Sequence, residues 1–135
     1  MHCDNMLEKS LMLEKCLIDL CNEYDVPKYR IHADYMNYEQ LLGRNLGMTW
    51  SKYNDEGETA AQIGISIWLC RHSLAARSVL WHEFCHAESW IKDHQQQGHG
   101  DKWRRRVMRK PLLFFVSCTW AQLIYAIEEA KHRTT

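Results

Sequence analysis

Apolar positions between Asp4 and Tyr24 recur at helical spacing. Leu7, Leu11, Leu17, Leu20, Cys21 and Tyr24 lie near one stripe, with Glu8, Lys9, Glu14, Lys15 and Asp19 elsewhere. This predicts an amphipathic helix over residues 4–24, stopped ahead of Pro27. Short strands are predicted at Tyr29 to Ala33 and at Leu46 to Tyr53. After the turn cluster Asn54-Asp55-Glu56-Gly57, Ile63, Ile65 and Ile67 alternate with Gly64, Ser66 and Trp68, the period of a half-buried strand. Two strands around a turn predict a hairpin. Ser73 is an N-cap for a helix carrying Leu74, Val79, Leu80, Phe84 and Ala87 to about Ile91. The polar, glycine-ended stretch from Lys92 to Gly100 breaks it. Asp101 caps a further helix through Lys110, with Trp103 and Val107 on one face. Pro111 marks its end or a kink, and an apolar helical segment follows over residues 112–131. The order predicts an α+β fold in which a small antiparallel sheet packs against helices, the helix from Ser73 among them.

At 135 residues the chain has the size of one compact domain, 1–135, with its core at about residues 40–110. Apolar residues at 46% and charged residues at 25% exclude a disordered chain. The zero net charge conceals an asymmetry. Residues 1–60 carry six basic and eleven acidic groups, and residues 61–135 carry eleven basic and six acidic ones. Lys102, Arg104, Arg105, Arg106, Arg109 and Lys110 form a basic run, the electrostatic hint of a polyanionic partner such as DNA, set against a solvated helix face. None of the six cysteines forms a CxxC pair, so neither a zinc ribbon nor a redox motif can be read from them. With Asp4 and Glu8 where a signal peptide needs positive and then apolar residues, the expectation is a reducing, cytoplasmic setting with free thiols. The uncharged run from Pro111 to Ile127 is at the lower limit for a membrane span and contains Ser117, Thr119 and Gln122. A buried or partner-facing helix is expected there, and no membrane.

His82-Glu83-Phe84-Cys85-His86 is the HExxH pattern. On a helix, residues four apart project from one face, so both imidazoles can reach one metal ion. Catalytic zinc takes three protein ligands and leaves a fourth position for water, so a third ligand must come from further along the chain. Glu83, one residue on from His82, is placed to accept the proton of the zinc-bound water and pass it to the leaving amine. Cys85 points about 100° away from His86 and reads as core packing. Asp93, on a continued helix, would stand about 10 Å along the axis from His86, too far for one ion. Lys92 occupies the place of a metzincin's third histidine, and Glu128 and Glu129 fall near the C-terminus. His94 and His99 remain, and a loop that reverses direction favours the later one.

The segments Leu46-Gly47 followed by Trp50, Ile63-Gly64-Ile65-Ser66, Val79-Leu80-Trp81-His82-Glu83-Phe84-Cys85-His86-Ala87 and His99-Gly100-Asp101-Lys102-Trp103 occur in that order. Together they resemble the SprT-like zinc metallopeptidase domain, shared by bacterial SprT proteins and the Spartan proteases that cut proteins crosslinked to DNA. The resemblance implies a zincin-like minimal core holding one zinc ion per chain. It assigns His82, His86 and His99 as ligands and Glu83 as the catalytic base. It implies hydrolysis of peptide bonds in a protein or peptide substrate, with DNA-associated or DNA-crosslinked proteins as its extension. DNA contact would then fall to the basic run 102–110. Trp103, at the family's aromatic position, reads as an anchor in the core. The alternative is a zinc-stabilised module that binds nucleic acid or protein without proteolysis. Glu83 argues against it, since a purely structural site has no use for a general base.

Overall fold

The computed structural model describes residues 5–43, 45–95 and 100–133, the last without its side chain. Helix α1 spans Met6–Tyr24. Strands β1, β2 and β3 span Ile31–Met36, Gly47–Tyr53 and Thr59–Ser66. Helices α2, α3, α4 and α5 span Ser73–Asp93, Asp101–Val107, Pro111–Cys118 and Trp120–Arg133. Short 3-10 turns at Lys28–Arg30 and Ile67–Leu69 flank the sheet.

The fold is α+β, and the sheet is mixed where the pattern predicted an antiparallel one. The hairpin is present: β2 and β3 pair antiparallel from Gly47 opposite Ile65 to Tyr53 opposite Thr59. Its turn is closed by the Asn54 side chain, which accepts from the backbone N–H groups of Glu56 and Glu58. On its other side β3 pairs with β1 in parallel, from Ile31 opposite Ala61 to Met36 opposite Ser66, giving the order β1-β3-β2. The chain between β1 and β2 carries β2 two places across, and the tight turn then returns β3 between them. A central strand is covered on both faces, so β3 is buried along its length except at Gln62, and it is not the half-buried strand its alternation suggests. Ile63 and Ile65 belong to the main core. On the opposite face a β-carbon at Gly64 would lie 2.5 Å from Met36 Sδ and 3.0 Å from Trp50.

Helix α2 lies across the sheet and is buried nearly all round, with Ala75, Val79, Trp81, Phe84 and Ala87 in the core. His72 is its N-cap, and Ser73 falls one place inside. Helix α1 buries Leu13, Leu17 and Cys21 at four-residue intervals, while Leu7 and Leu11, expected on its buried stripe, are exposed. Gly100 is the N-cap of α3, which ends at Val107, short of the expected Lys110. Pro111 therefore opens α4, where its missing N–H costs nothing. The segment expected as one helical stretch is two helices broken at Thr119, whose hydroxyl donates to the Phe115 carbonyl at 2.8 Å. Residues 111–132 are apolar and long enough to cross a membrane by length and composition. In this fold they pack on α2, with Ala121 and Ile124 in the core and Leu112, Phe115, Trp120 and Leu123 facing outward.

Cys16, Cys21, Cys85 and Cys118 are free thiols. Cys70 is disulfide-bonded, which corrects the expectation of free thiols at that position.

Candidate metal centre

Four residues apart on α2, His82 and His86 bring their ring centroids to 5.2 Å with planes tilted by 59°. Two aromatic residues from other helices hold these rings. Trp103 of α3 lies flat on His86 at 4.9 Å and edge-on to His82 at 5.1 Å. Phe114 of α4 stacks on His82 at 6.5 Å and meets Trp103 edge-on at 6.0 Å. Trp103 is buried, as a core anchor requires, and Phe114 was not legible in the sequence as a neighbour of the site.

Glu83 is buried beside the pair. Thr49 of β2, itself buried, places its hydroxyl 2.9 Å from Glu83 Oε1 and 3.0 Å from the Glu83 carbonyl oxygen. Burial pushes the Glu83 carboxyl up to about 7, and the hydrogen bond from Thr49 opposes that rise. Gly47 lets the strand come this close. A β-carbon there would stand 2.6 Å from Val79 Cγ1, 3.0 Å from the Gly64 carbonyl oxygen and 3.1 Å from Glu83 Cγ. The result is an open cleft of about 260 Å³ over the motif. Its sides are Asn45, Leu46 and Gly47 at the start of β2 and Ser117, Cys118 and Gln122 at the α4–α5 junction, with Val79, His82 and Glu83 between them.

The expected third ligand, His99, lies outside the described residues. Among the described residues no group of three metal-ligating side chains converges. His94 closes α2 in the left-handed conformation at φ 56° and packs near Trp90, eight residues and about 12 Å of helix beyond His86. Asp93 is engaged by Arg106 and Lys102. Glu128 faces His72, Lys131 and His132. Cys85 is fully buried, and burial pushes its thiol up to about 12. What the described part of the centre supplies is two imidazoles on one helix face, within reach of one ion, with a carboxylate beside them. That donor set fits zinc with one protein ligand still to be added.

The basic run is distributed differently from a free cationic face. Five of its six members hold carboxylates: Lys102 and Arg106 on Asp93, Arg104 on Asp101, Arg106 and Arg109 on Glu88, and Lys110 on Glu23. Hydrogen bonds from Lys110, Arg106 and Arg104 are the first reason that the carboxyls of Glu23, Asp93 and Asp101 sit below their ordinary range. Arg109 also lies over the Tyr24 ring at 3.9 Å. Arg105 is exposed. Glu88, 1% exposed, is the buried anion at the middle of this network, with Lys92 also bound at 2.9 Å. It was missed in the sequence, where its one signal is an acidic residue among buried positions of α2 with cations four, 18 and 21 residues on.

An HExxH helix backed by a small mixed sheet and carrying a buried glutamate on an open cleft defines the class of HExxH metallopeptidase-like proteins. The SprT-like family model matches residues 14–111, and the chain belongs to the SprT-like family, whose members are generally predicted to be metallopeptidases. A stretch of 44 residues is 41% identical to the germ cell nuclear acidic protein of Homo sapiens. That stretch is 33% of this chain and 6% of that protein, so the chain spans a small part of the relative's length. No solved structure matches.

Proposed function

We propose that this protein is a zinc-dependent endopeptidase of the SprT-like type. The observation that carries the reading is the Glu83 carboxylate, buried next to two imidazoles on one helix face and opening on a cleft. A structural zinc site would close its remaining position with a protein group and would not bury a carboxylate beside it. His82 and His86 hold the metal, with His99 as the third ligand. When bound, zinc polarises the scissile carbonyl and lowers the pKa of water. Glu83 takes the proton of the attacking water on a carboxylate oxygen and delivers it to the leaving nitrogen. Burial strengthens the hold of this carboxyl on a proton, and a neighbouring cation opposes it, so the group can both accept a proton and release it. Trp103 and Phe114 keep the imidazoles from turning. The cleft admits an extended segment of protein or peptide between β2 and the α4–α5 junction.

Zinc analysis and proteolysis on the same samples test this reading. Wild type is expected to hold one zinc per chain and to cleave labelled casein. Glu83→Gln should keep the zinc and lose cleavage by at least about a hundredfold. His99→Ala should lose the zinc. Undiminished cleavage by Glu83→Gln, or a wild type that holds no zinc, overturns the mechanism.

We extend the substrate class to DNA-associated proteins. The support is the exposed part of the basic run, Arg105 with the outward faces of Lys102 and Arg104. Salt-dependent binding of labelled single-stranded DNA, weakened when these three become Ala, would support the extension. Absence of binding at low salt removes it.

A further inference from the structure

We propose that the face of β2 carrying Gly47 and Thr49 holds the catalytic base, so that Thr49 is a positioning residue for Glu83. The inference rests on the peptidase reading. Gly47 and Thr49 are two apart on a strand and therefore project to the same face. That face is the one toward α2, since Thr49 reaches Glu83 and the missing side chain of Gly47 is the space occupied by Val79 and Glu83 Cγ. The two residues act on different parts of one side chain. Gly47 bounds its methylene stem, and Thr49 binds its carboxylate.

Glu83 needs such a hold. Thr49 lies 34 residues earlier in the chain and reaches the carboxylate across the helix–sheet interface, so the hold comes from the sheet and is independent of the helix that carries Glu83. The Thr49 hydroxyl has one proton to share between two Glu83 acceptors, Oε1 at 2.9 Å and the carbonyl oxygen at 3.0 Å. The ionised carboxylate is the stronger acceptor. With Oε1 fixed by Thr49, Oε2 is the oxygen left for the proton exchanged with substrate. A carboxylate free to turn about its terminal bond would offer that oxygen in the working direction for only part of the time, and misplacement of about 1 Å costs on the order of a hundredfold in rate.

The test compares Thr49→Val, which keeps the shape and removes the donor, with Thr49→Ser, which keeps the donor. On labelled casein with zinc-loaded protein, Thr49→Val is expected to lower kcat roughly tenfold to a hundredfold, with KM and zinc content as in wild type and a melting temperature lowered by the loss of a buried hydrogen bond. Thr49→Ser should return kcat to within about threefold of wild type. Infrared spectra of ¹³C-glutamate-labelled, metal-free protein give a second readout. At a pH well above 7, where the carboxyl is ionised, the Glu83 carboxylate band, isolated by subtracting the spectrum of Glu83→Gln, should shift in Thr49→Val and stay in place in Thr49→Ser. An unshifted band, or an unchanged kcat in Thr49→Val, overturns the proposal. A wild type without peptidase activity fails the peptidase reading alone, because the infrared comparison still decides whether Thr49 holds the carboxylate.

Discussion

At Glu83, burial and hydrogen bonding oppose each other, and the outcome sets a pH dependence that can be measured without substrate. The folded, metal-free protein keeps this carboxyl protonated up to about 7, whereas an exposed glutamate ionises near 4.5. Below 4.5 the group is protonated in both states and makes no difference. Between these values folding takes up a proton, so stability falls as pH rises. Above about 7 the group is ionised in both states, and the folded protein bears the full cost of the buried charge, about 3 kcal/mol. Glu83→Gln removes that cost. Urea denaturation in the presence of chelator should show wild type losing about 3 kcal/mol relative to Glu83→Gln between pH 4.5 and 7, then running parallel to it. Zinc beside the carboxylate should shrink the decline, since a nearby cation favours the ionised form. Parallel behaviour across the whole range would mean that Glu83 is solvated in solution.

Between elements, the Glu88 network ties α3 to α2 less than one helical turn beyond the motif, and thereby fixes Trp103 over the histidines. Arg109 reaches Glu88 and also lies over Tyr24, so one side chain joins α1, α2 and the end of α3. Removing one partner of a buried ion pair strands the other. Arg109→Ala should therefore cost about 2 kcal/mol, less than a full buried-pair loss because Arg106 and Lys92 remain near Glu88. Arg105→Ala should change stability by no more than about 0.5 kcal/mol. Equal effects in thermal denaturation would show that the network is not what anchors α3. This division among neighbouring arginines was invisible in the sequence, where six cations in nine positions look alike and the anions that claim them are scattered from Glu23 to Asp101. Legibility followed distance along the chain. The spacing of His82 and His86, the hairpin around Asn54 and the helix from Ser73 are local patterns, and each was readable. The parallel pairing of β1 with β3 was not, because a strand carries no local mark of its partner. Thr49 and Phe114 reach the site from 34 residues before Glu83 and 32 residues after His82, and nothing near either residue announces it.

For the whole molecule, the question is what the residues beyond the family-matched stretch contribute. The match ends at residue 111, where α4 begins, so α4 and α5 lie almost wholly outside it. They nevertheless complete the structure in three places. Phe114 covers His82, Ser117 with Cys118 and Gln122 closes one side of the cleft, and Ala121 with Ile124 enters the core. Tyr125 and His132 pack on Trp68 and, with Tyr38, leave it 9% exposed. A chain cut after Lys110 would uncover parts of Trp68 and Trp103 and the flank of α2. Exposing a large apolar side chain costs about 1.5–3 kcal/mol, so several together approach the 5–15 kcal/mol by which a domain of this size is stable. The expected outcome is that residues 1–110 made alone do not fold, shown by loss of near-ultraviolet circular dichroism from their tryptophans and of a cooperative melting transition. A truncated chain that melts cooperatively within a few degrees of wild type would establish the opposite, a self-sufficient core to which α4 and α5 add only the wall of the cleft. In that case its zinc content should match wild type while its cleavage of casein falls, because His82, His86 and His99 all precede the cut and the cleft loses a side.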